Sequence, residues 1–394
     1  MWAVLGRRVG APCFQQHSRH FCVPSQSLAS LQRRAERLSG LLRRVQHPQP
    51  TEFAVEGRIF PLPLSSISAP AGQLKQEDLD YLAGFFDGDG CVSMNRSTGR
   101  IQLSVNQAID QASVLLHFRD ALGGGICRHQ DGAGARRATL RWHSSGDSAI
   151  LAARLLGSVP SMKQAQLQIA VEGTAAPADR NSLADKLKML KHLAYQPGCL
   201  PCSWHYLAGF FDAEGCIRVD ARHATASLSI SQLNPYVLTC IRRFLQQQSL
   251  HSWGLYSHTR QTELACWKGR ECKETLKELL ANGLLVKRGQ AKLVLGLSSA
   301  THQLVRESIG NLKGNQGRYI RLDESAAAVA KAITSAQQKL RRKQITPEQA
   351  LALQEELRLL KEDLETRKLT LKCNTLRADV RRLLREGGQV LSIA

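Results

Sequence analysis

The stretch Leu82–Gly90, LAGFFDGDG, recurs as LAGFFDAEG at Leu207–Gly215. The offset is 125 residues (207 − 82), and other features keep close to it: Gln107 with Gln232 (125), Trp142 with Trp267 (125), Lys163 with Lys287 (124). Each copy follows a tyrosine, Tyr81 or Tyr206, and precedes a cysteine and a β-branched residue, Cys91-Val92 or Cys216-Ile217. Repetition at fixed spacing marks duplicated structural units, and this period is long enough for each unit to be a small domain. The chain reads as a fused, pseudo-symmetric pair.

Ala83, Gly84 and Gly88, like Ala208, Gly209 and Ala213, are small residues that let two such helices pack at close backbone distance. Phe85-Phe86 and Phe210-Phe211 are expected to anchor each helix in its own domain's core. Gly88 and Gly90 read as the end of the first motif helix. Paired about a pseudo-twofold axis, the helices would join at their C-terminal ends and set Asp89 beside Glu214. That is unfavourable in isolation. A helix C-terminus carries partial negative charge, and neighbouring carboxylates repel. A bound divalent cation makes it tolerable: hard oxygen ligands suit Mg²⁺, or another such ion as Mn²⁺. Paired metals over a scissile phosphate are a common nuclease solution.

Around each motif, apolar residues alternate between helical and strand periods. After the motif helix at Leu79–Asp87 come strands at Cys91–Asn95 and Ile101–Asn106, and a helix at Ala112–Leu122. Strands near Ile126–His129 and Ala138–Trp142 and a helix at Asp147–Leu156 follow. The second copy retraces this with Cys216–Asp220, Ser227–Ser231, helix Tyr236–Gln247, Gly254–His258, Glu263–Trp267 and helix Cys272–Ala281. The expected fold is α+β: two pseudo-symmetric α-β-β-α-β-β-α repeats, residues 74–180 and 205–312. Residues 181–204, with a helical patch at Leu183–Leu193, read as the linker between them. Residues 320–390 read as a helical C-terminal extension. Thr346-Pro347-Glu348-Gln349 is a capped helix start, and Leu353, Leu357, Leu360 and Leu364 follow at coiled-coil spacing. Arg367 and Asn374 interrupt that seam, so this helix is expected to pack on the core or on a partner.

The net charge of +20 points to a polyanionic partner. Residues 1–70 carry nine Lys/Arg against three acids, 71–320 carry 29 against 20, and 321–394 carry 15 against 10. A solvated basic surface accounts for the ends but not for the surplus within the repeats. The first fifty residues hold eight Arg, no Lys and one acid, Glu36. With Leu31–Val45 amphipathic, residues 1–70 read as an organellar transit peptide followed by a Pro/Ser-rich linker, Phe60–Ala71. The alternative is a basic arm touching nucleic acid. Arg richness favours a mitochondrion over a plastid. The eleven cysteines show no secreted-type framework. Cys199 and Cys202 with His205 lack a fourth ligand for zinc and read as a linker bend. No apolar run is long enough to span a membrane.

The two motifs resemble those of the LAGLIDADG homing endonucleases in their single-chain, two-repeat form, over roughly residues 74–312. The resemblance implies that the last acid of each motif, Asp89 and Glu214, holds catalytic metal, and that Asp87 and Asp212 are structural. It implies that a polar strand residue, Gln107 or Gln232, positions the attacking water. Each lies 18 residues after its acid (107 − 89; 232 − 214). It further implies that Lys163 and Lys287 stabilise the transition state. Where such proteins often carry an Arg shortly after the Gln, this chain offers Gln111 and Tyr236.

The resemblance implies that the two repeats form a DNA-binding saddle, with contacts expected from exposed residues in or flanking the strands, whose open faces can enter a major groove. Candidates in the first repeat are Asn95, Arg96, Arg100, Gln102, Arg136, Arg137 and Arg141. In the second they are Arg218, Asp220, Arg222, Ser229, Arg260, Lys268 and Arg270. Because the two sets differ, the double-stranded target is expected to be long and asymmetric, about 20 base pairs for two half-sites. The reading is a monomeric, site-specific, metal-dependent DNA endonuclease. Its rivals are an organellar maturase that binds intron RNA on the same scaffold, and a cleavage-dead DNA-binding protein.

Overall fold

The computed structural model describes residues 27–68, 74–173, 176–191, 200–221, 223–313, 319, 322–341 and 346–391. The chain enters through α1 (Leu28–Arg44), β1 (Val45–Gln46), a hairpin of β2 (Glu52–Val55) and β3 (Arg58–Pro61), and β4 (Leu64–Ile67). The first repeat begins with α2 (Gln76–Asp89), β5 (Gly90–Met94), β6 (Ile101–Ala108), α3 (Ser113–Leu122), β7 (Gly124–Gln130) and β8 (Thr139–Ser145). It closes with α4 (Asp147–Leu156), α5 (Gln164–Glu172) and α6 (Arg180–Leu190). The second begins with α7 (Trp204–Glu214), β9 (Gly215–Val219), β10 (Ala226–Gln232), α8 (Pro235–Gln247), β11 (Gly254–Ser257) and β12 (Thr262–Cys266). It closes with α9 (Gly269–Ala281), α10 (Arg288–Leu295) and α11 (His302–Leu312). The chain leaves through α12 (Glu324–Leu340), α13 (Pro347–Arg385) and β13 (Gln389–Val390). Among the described residues no helix is long and apolar enough to cross a membrane.

α2 and α7 form the hub. A helix apolar on all sides has to be buried, and Tyr81 through Asp87 and Tyr206 through Asp212 are buried. Their backbones touch. A Cβ on Gly84 would stand 2.0 Å from the Tyr206 carbonyl oxygen, and one on Gly209 would stand 1.9 Å from that of Tyr81. Gly88, expected as a helix stop, lies inside α2, which runs on to Asp89 and is capped by Gly90 in extended conformation. What Gly88 provides is room: a Cβ there would lie 2.4 Å from the Cβ of Ala213. On the outer faces Phe85, Phe86, Phe210 and Phe211 fill the domain cores.

Each hub helix is covered by its own antiparallel sheet, ordered β7-β8-β6-β5 in one repeat and β11-β12-β10-β9 in the other. The register keeps the sequence offset: Gly90 pairs with Val105, and Gly215 with Ile230 (215 − 90 and 230 − 105 are both 125). One strand later the offset changes. Val105 pairs with Trp142 but Ile230 with Leu264 (264 − 142 = 122), so Trp142 and Trp267 are not counterparts. Trp142 is buried and donates its indole N–H to Gly123 O at 2.8 Å, whereas Trp267 lies on the open face. The cause is chain length on both sides of the outer strand. Ile126 pairs with Trp142 and Leu255 with Leu264 (255 − 126 = 129), so the second copy is four residues longer up to that strand and seven shorter from it to the next, where the β7–β8 connection spans residues 131–138 and the β11–β12 connection only 258–261.

Two expectations about the ends of the repeats are corrected. Residues 181–204 are more than a linker, because α6 belongs to the first repeat and α11 is its counterpart. Arg180 donates to Ser97 O at 2.7 Å, as His302 Nε2 does to Asp220 O at 2.8 Å. Lys191 and Lys313 (313 − 191 = 122) reach Cys91 and Cys216 Sγ at 3.2 and 3.4 Å. The transit-peptide reading of 1–70 falls partly on residues 1–26, outside the described residues, as does Cys199 of the linker bend. From residue 27 onward the segment is part of the body. The amphipathic stripe that suggested targeting is a packing face, with Leu31, Ala35 and Leu42 buried, and α1 lies against α13. β4, read as linker, pairs with β7 and makes the first sheet five-stranded.

The tail folds on the protein itself. Leu353, Leu357, Leu360 and Leu364 meet Val329, Ile333 and Ala336 of α12, after a capping box between Thr346 and Gln349. Further along α13, Leu376, Val380 and Leu383 meet Leu42 and Val45.

The hub contact gives a sharp stability test. Gly84→Ala forces a methyl into the Tyr206 carbonyl, and we expect a loss on the order of 3 kcal/mol or more in denaturant unfolding. Gly40→Ala, in α1 with nothing within 4 Å of the added Cβ, should be neutral or gain about 0.5–1 kcal/mol. Equal stability of the two variants would show that the helices do not touch.

Candidate active site

Asp89 and Glu214 are the last residues of α2 and α7, so hub packing decides their separation. It brings them together: Glu214 Cγ lies 3.1 Å from where a Cβ on Gly88 would stand. Burial first, and then the charge of Glu214, pushes the Asp89 acid up to about 6. Lys287, Lys163 and the Gln107 hydrogen bond pull it the other way. Gln107 Nε2 donates to Asp89 Oδ2 at 2.6 Å. Gln232 occupies the matching position at the end of β10, opposite Thr262. Among the described residues no bond joins it to Glu214.

The penultimate acids do a different job, and here tyrosine enters. Asp87 accepts from Ser161 Oγ (2.6 Å) and Met162 N–H (2.7 Å) of its own repeat, and from Tyr206 O–H (2.8 Å) of the other. Asp212 accepts from Leu285, Val286 and Lys287 N–H at 2.6–2.9 Å and from Tyr81 O–H at 2.8 Å. Each carboxylate therefore ties its own α5 or α10 entry to the partner repeat's hub helix. Burial raises both acids, and these donors and the nearby lysine oppose it. Sequence reading noted the tyrosines as part of the repeat but gave them no role.

Lys163 and Lys287 are also more engaged than expected. Lys163 Nζ donates to the carbonyls of Phe86 (2.5 Å) and Asp87 (2.8 Å), and Lys287 Nζ donates to Asp212 O. Both ammoniums satisfy the open carbonyls of a hub helix C-terminus, a favourable place for a cation. Desolvation lowers both lysines, while Asp87 or Asp212 and then Asp89 hold the charge on.

The donor set at the seam fits a hard divalent cation. Its protein ligands would be two carboxylates, and burial first and then their mutual repulsion raise the Asp89 acid. Magnesium is commonly held by one or two carboxylates completed by waters and substrate phosphate. A cavity of about 760 Å³ opens beside Glu214 and crosses the seam. Gln111, Gln130 and Thr139 line it from the first repeat, and Lys287, Gln290 and Lys313 from the second.

The strand candidates divide. In the first sheet Gln102 and Arg100 are exposed. Arg141 lies on the open face between Asn106 Oδ1 (2.9 Å) and His129 Nε2 (3.3 Å). Asn95 is turned inward on its own loop, accepting from Ser97 and Thr98 N–H. Arg96 is paired with Asp185 of α6 at 2.7 Å, and Arg137 with Asp110. In the second sheet Arg218 is exposed on β9, and Arg260 on the β11–β12 turn. Ser229 is buried, at 6% exposure, contrary to expectation. Its row on the sheet holds Cys216, Ala265 and Gly254. A Cβ on Gly254 would meet the Tyr256 ring, and that ring makes an edge contact with Trp267 at 4.7 Å. Asp220 accepts from His223 N–H. Lys268 is exposed at the N-cap position of α9, flanking β12, and Arg270 is on that helix, paired with Glu274. Arg222 lies outside the described residues.

No family model and no curated relative matches the chain. Among solved structures it is similar to the LAGLIDADG meganuclease I-AabMI bound to uncleaved DNA, at 17% identity and a TM-score of 0.43 over 60% of this chain and 96% of that one. The meganuclease I-CpaMI bound to uncleaved DNA is 10% identical, with a TM-score of 0.43 over 61% and 97%. The homing endonuclease I-GzeII in complex with its DNA target is 11% identical, with a TM-score of 0.38 over 72% and 97%. Superposition this loose carries no weight of its own. The fold stands on the chain's own register and contacts.

Two outcomes follow for the metal-free protein. Because burial and Glu214 raise Asp89 from 3.8 to about 6, its contribution to stability is full below 3.8 and is lost as pH rises through about 6. Asp89→Asn should then be more stable than wild type at pH 8, on the order of 2 kcal/mol, and show no advantage at pH 4. Thermal unfolding at both pH values checks this. Tyr81→Phe leaves buried Asp212 short of a donor and should cost about 1–3 kcal/mol, whereas Tyr256→Phe on the open face should cost almost nothing.

Proposed function

We propose that the chain is a LAGLIDADG-type, divalent-metal-dependent endonuclease that cuts both strands of a DNA duplex laid across its two sheets. The observation that carries this is the meeting of Asp89 and Glu214 at the ends of touching helices, with Asp89 pushed to about 6 by burial and by its neighbour. A structural role does not require two acids to be held together against such a penalty. Asp89 and Glu214 would hold Mg²⁺ or Mn²⁺, which when bound supplies Lewis-acid activation and a nucleophile at neutral pH.

The chain's own groups do the rest. Gln107 fixes the rotation of the Asp89 carboxylate by donating to Oδ2, and the carboxylate so oriented would hold the cation. Lys163 and Lys287, anchored on helix-end carbonyls, keep positive charge beside the acids, where it offsets charge building on a phosphate. Arg141, Gln102 and Arg218 lie on or beside open strand faces suited to base edges and phosphates. Because Asp87 and Asp212 lock the hub through the crossed tyrosines, the two centres hold their spacing without a ligand. The protein acts as a monomer on a long asymmetric site, and residues 1–26 direct it to the mitochondrion.

One observation favours a second reading. Tyr256 and Trp267 are 38% and 55% exposed on the second sheet, and exposed sheet aromatics stack on unpaired bases of RNA. An intron-RNA maturase on the same scaffold would use them.

The test compares wild type with Asp89→Asn/Glu214→Gln on mitochondrial DNA. Wild type should cut at few sites with Mg²⁺ and not without it. The double variant should bind without cutting and should lose the Mg²⁺-dependent rise in Tm that wild type shows. Tight binding of intron RNA with Trp267 quenching, and no DNA scission by wild type, would establish the maturase instead.

A further inference from the structure

The two ends of the described chain meet beside the β7–β8 loop of the first repeat and hold it by its backbone. β1 pairs with β13, Val45 with Val390 and Gln46 with Gln389. Gln46 in turn bridges Ala133, and Ala133 bridges Arg136. The result is a ladder of four segments. Its bonds run from Leu391 N–H to Arg44 O (3.0 Å), from Gly134 N–H to Val45 O (2.7 Å) and from His47 N–H to Gly132 O (2.9 Å). His47 Nε2 also donates to Gly134 O at 3.1 Å. Close approach makes glycine necessary in the loop. Gly134 has φ +57°, and a Cβ there would lie 2.7 Å from Leu42 O; one on Gly132 would lie 2.4 Å from His47 Nδ1. Behind the ladder Leu42, Val45, Leu376, Val380 and Leu383 form an apolar cluster separate from the core of the repeats.

A free loop of this length carries a large conformational entropy, and ordering it has to be compensated by contacts. The chain ends supply them, and the arrangement matters at the seam. The held loop contributes Arg136 and Arg137 to the cavity of about 760 Å³ that Glu214, Lys287 and Lys313 line from the other repeat. Arg136 is exposed, and Arg137 is aimed by its pair with Asp110. These four basic groups face two acids of the lining, Glu214 and Asp131, and with Asp110 counted against Arg137 the cavity still keeps a positive surplus of one. Planar Arg forks suit phosphate oxygens. The second repeat's hairpin is built differently: it turns in residues 258–261, closed by His258 N–H to Gln261 O at 2.8 Å.

We infer that the chain ends form a strap that presents Arg136 and Arg137 to the phosphate backbone of a nucleic acid on the Glu214 side of the seam. The two sides are thereby unequal in their grip on phosphate. This rests on the nucleic-acid reading above and adds to it a role for the termini.

A double-mutant cycle on the full chain tests it. The probe is a mixed-sequence DNA duplex of about three helical turns, titrated against salt without divalent metal. Arg136→Ala/Arg137→Ala and the strap variant Leu376→Asp/Leu383→Asp should each weaken binding about tenfold. Each should also make the slope of log K against log salt shallower by about 2, the value for two lost phosphate contacts. Combined, they should be no weaker than either alone, whereas Arg260→Ala should add independently to the strap variant. Gly132→Ala, which displaces His47 and leaves the apolar cluster intact, should move binding and slope in the same direction, so a strap variant that fails to fold does not void the test. Strap and Gly132 variants with the wild-type slope, or losses that simply add to those of the arginines, would overturn the inference alone. A wild type that ignores the duplex overturns the proposed function, and the strap's role with it.

Discussion

Backbone contact between α2 and α7 is the constraint on which everything else rests. Gly84 and Gly209 let each helix come against the other's tyrosine carbonyl, and the same tyrosines send their hydroxyls across to Asp212 and Asp87. Close packing without those bonds would leave two buried carboxylates short of donors. The bonds without close packing would not reach. Together they make a joint that sets the distance between the helix ends, and hence between Asp89 and Glu214, before any ligand arrives. Preorganisation of this kind is what electrostatic catalysis needs.

The joint also explains why helix-end lysines recur in both halves. Two helix C-termini side by side concentrate carbonyl partial charge, to which Asp89 and Glu214 add full charges. Lys163 and Lys287 sit against those carbonyls, and the charge that stabilises the helix ends is the charge that would serve beside a phosphate. On the proposed function, structural and chemical duties would coincide in one ammonium, and position alone shows only the first.

Symmetry is kept at the hub and relaxed outward. Gly88 faces Ala213, Asp89 carries a Gln107 bond, and the sheets diverge at their third strand. The first sheet gains β4 and a long, strapped loop; the second has a short hairpin and an aromatic pair across its open face. A duplex spanning both halves would meet two different surfaces, which suits an asymmetric partner.

Much of this was legible in the chain. The duplicated motif, its small residues and the alternation of periods give the hub, both sheets and α4, because those depend on local spacing that a one-dimensional pattern preserves. The pairing of Asp89 with Glu214 follows from the same repeat. Five things depended on tertiary structure. The Trp142–Trp267 match was numerical coincidence, since loop length shifts register without altering either strand's own pattern. The stripe of α1 fits a targeting helix and a packing helix equally, and only contact with α13 distinguishes them. Exposure misled at Ser229, because what covers a strand residue comes from rows on neighbouring strands. The crossed Tyr–Asp bonds and the strap join residues far apart in sequence, Tyr81 to Asp212 and Val45 to Val390. Periodicity along the chain reports which face of an element is apolar; it holds no information about which distant element that face will meet.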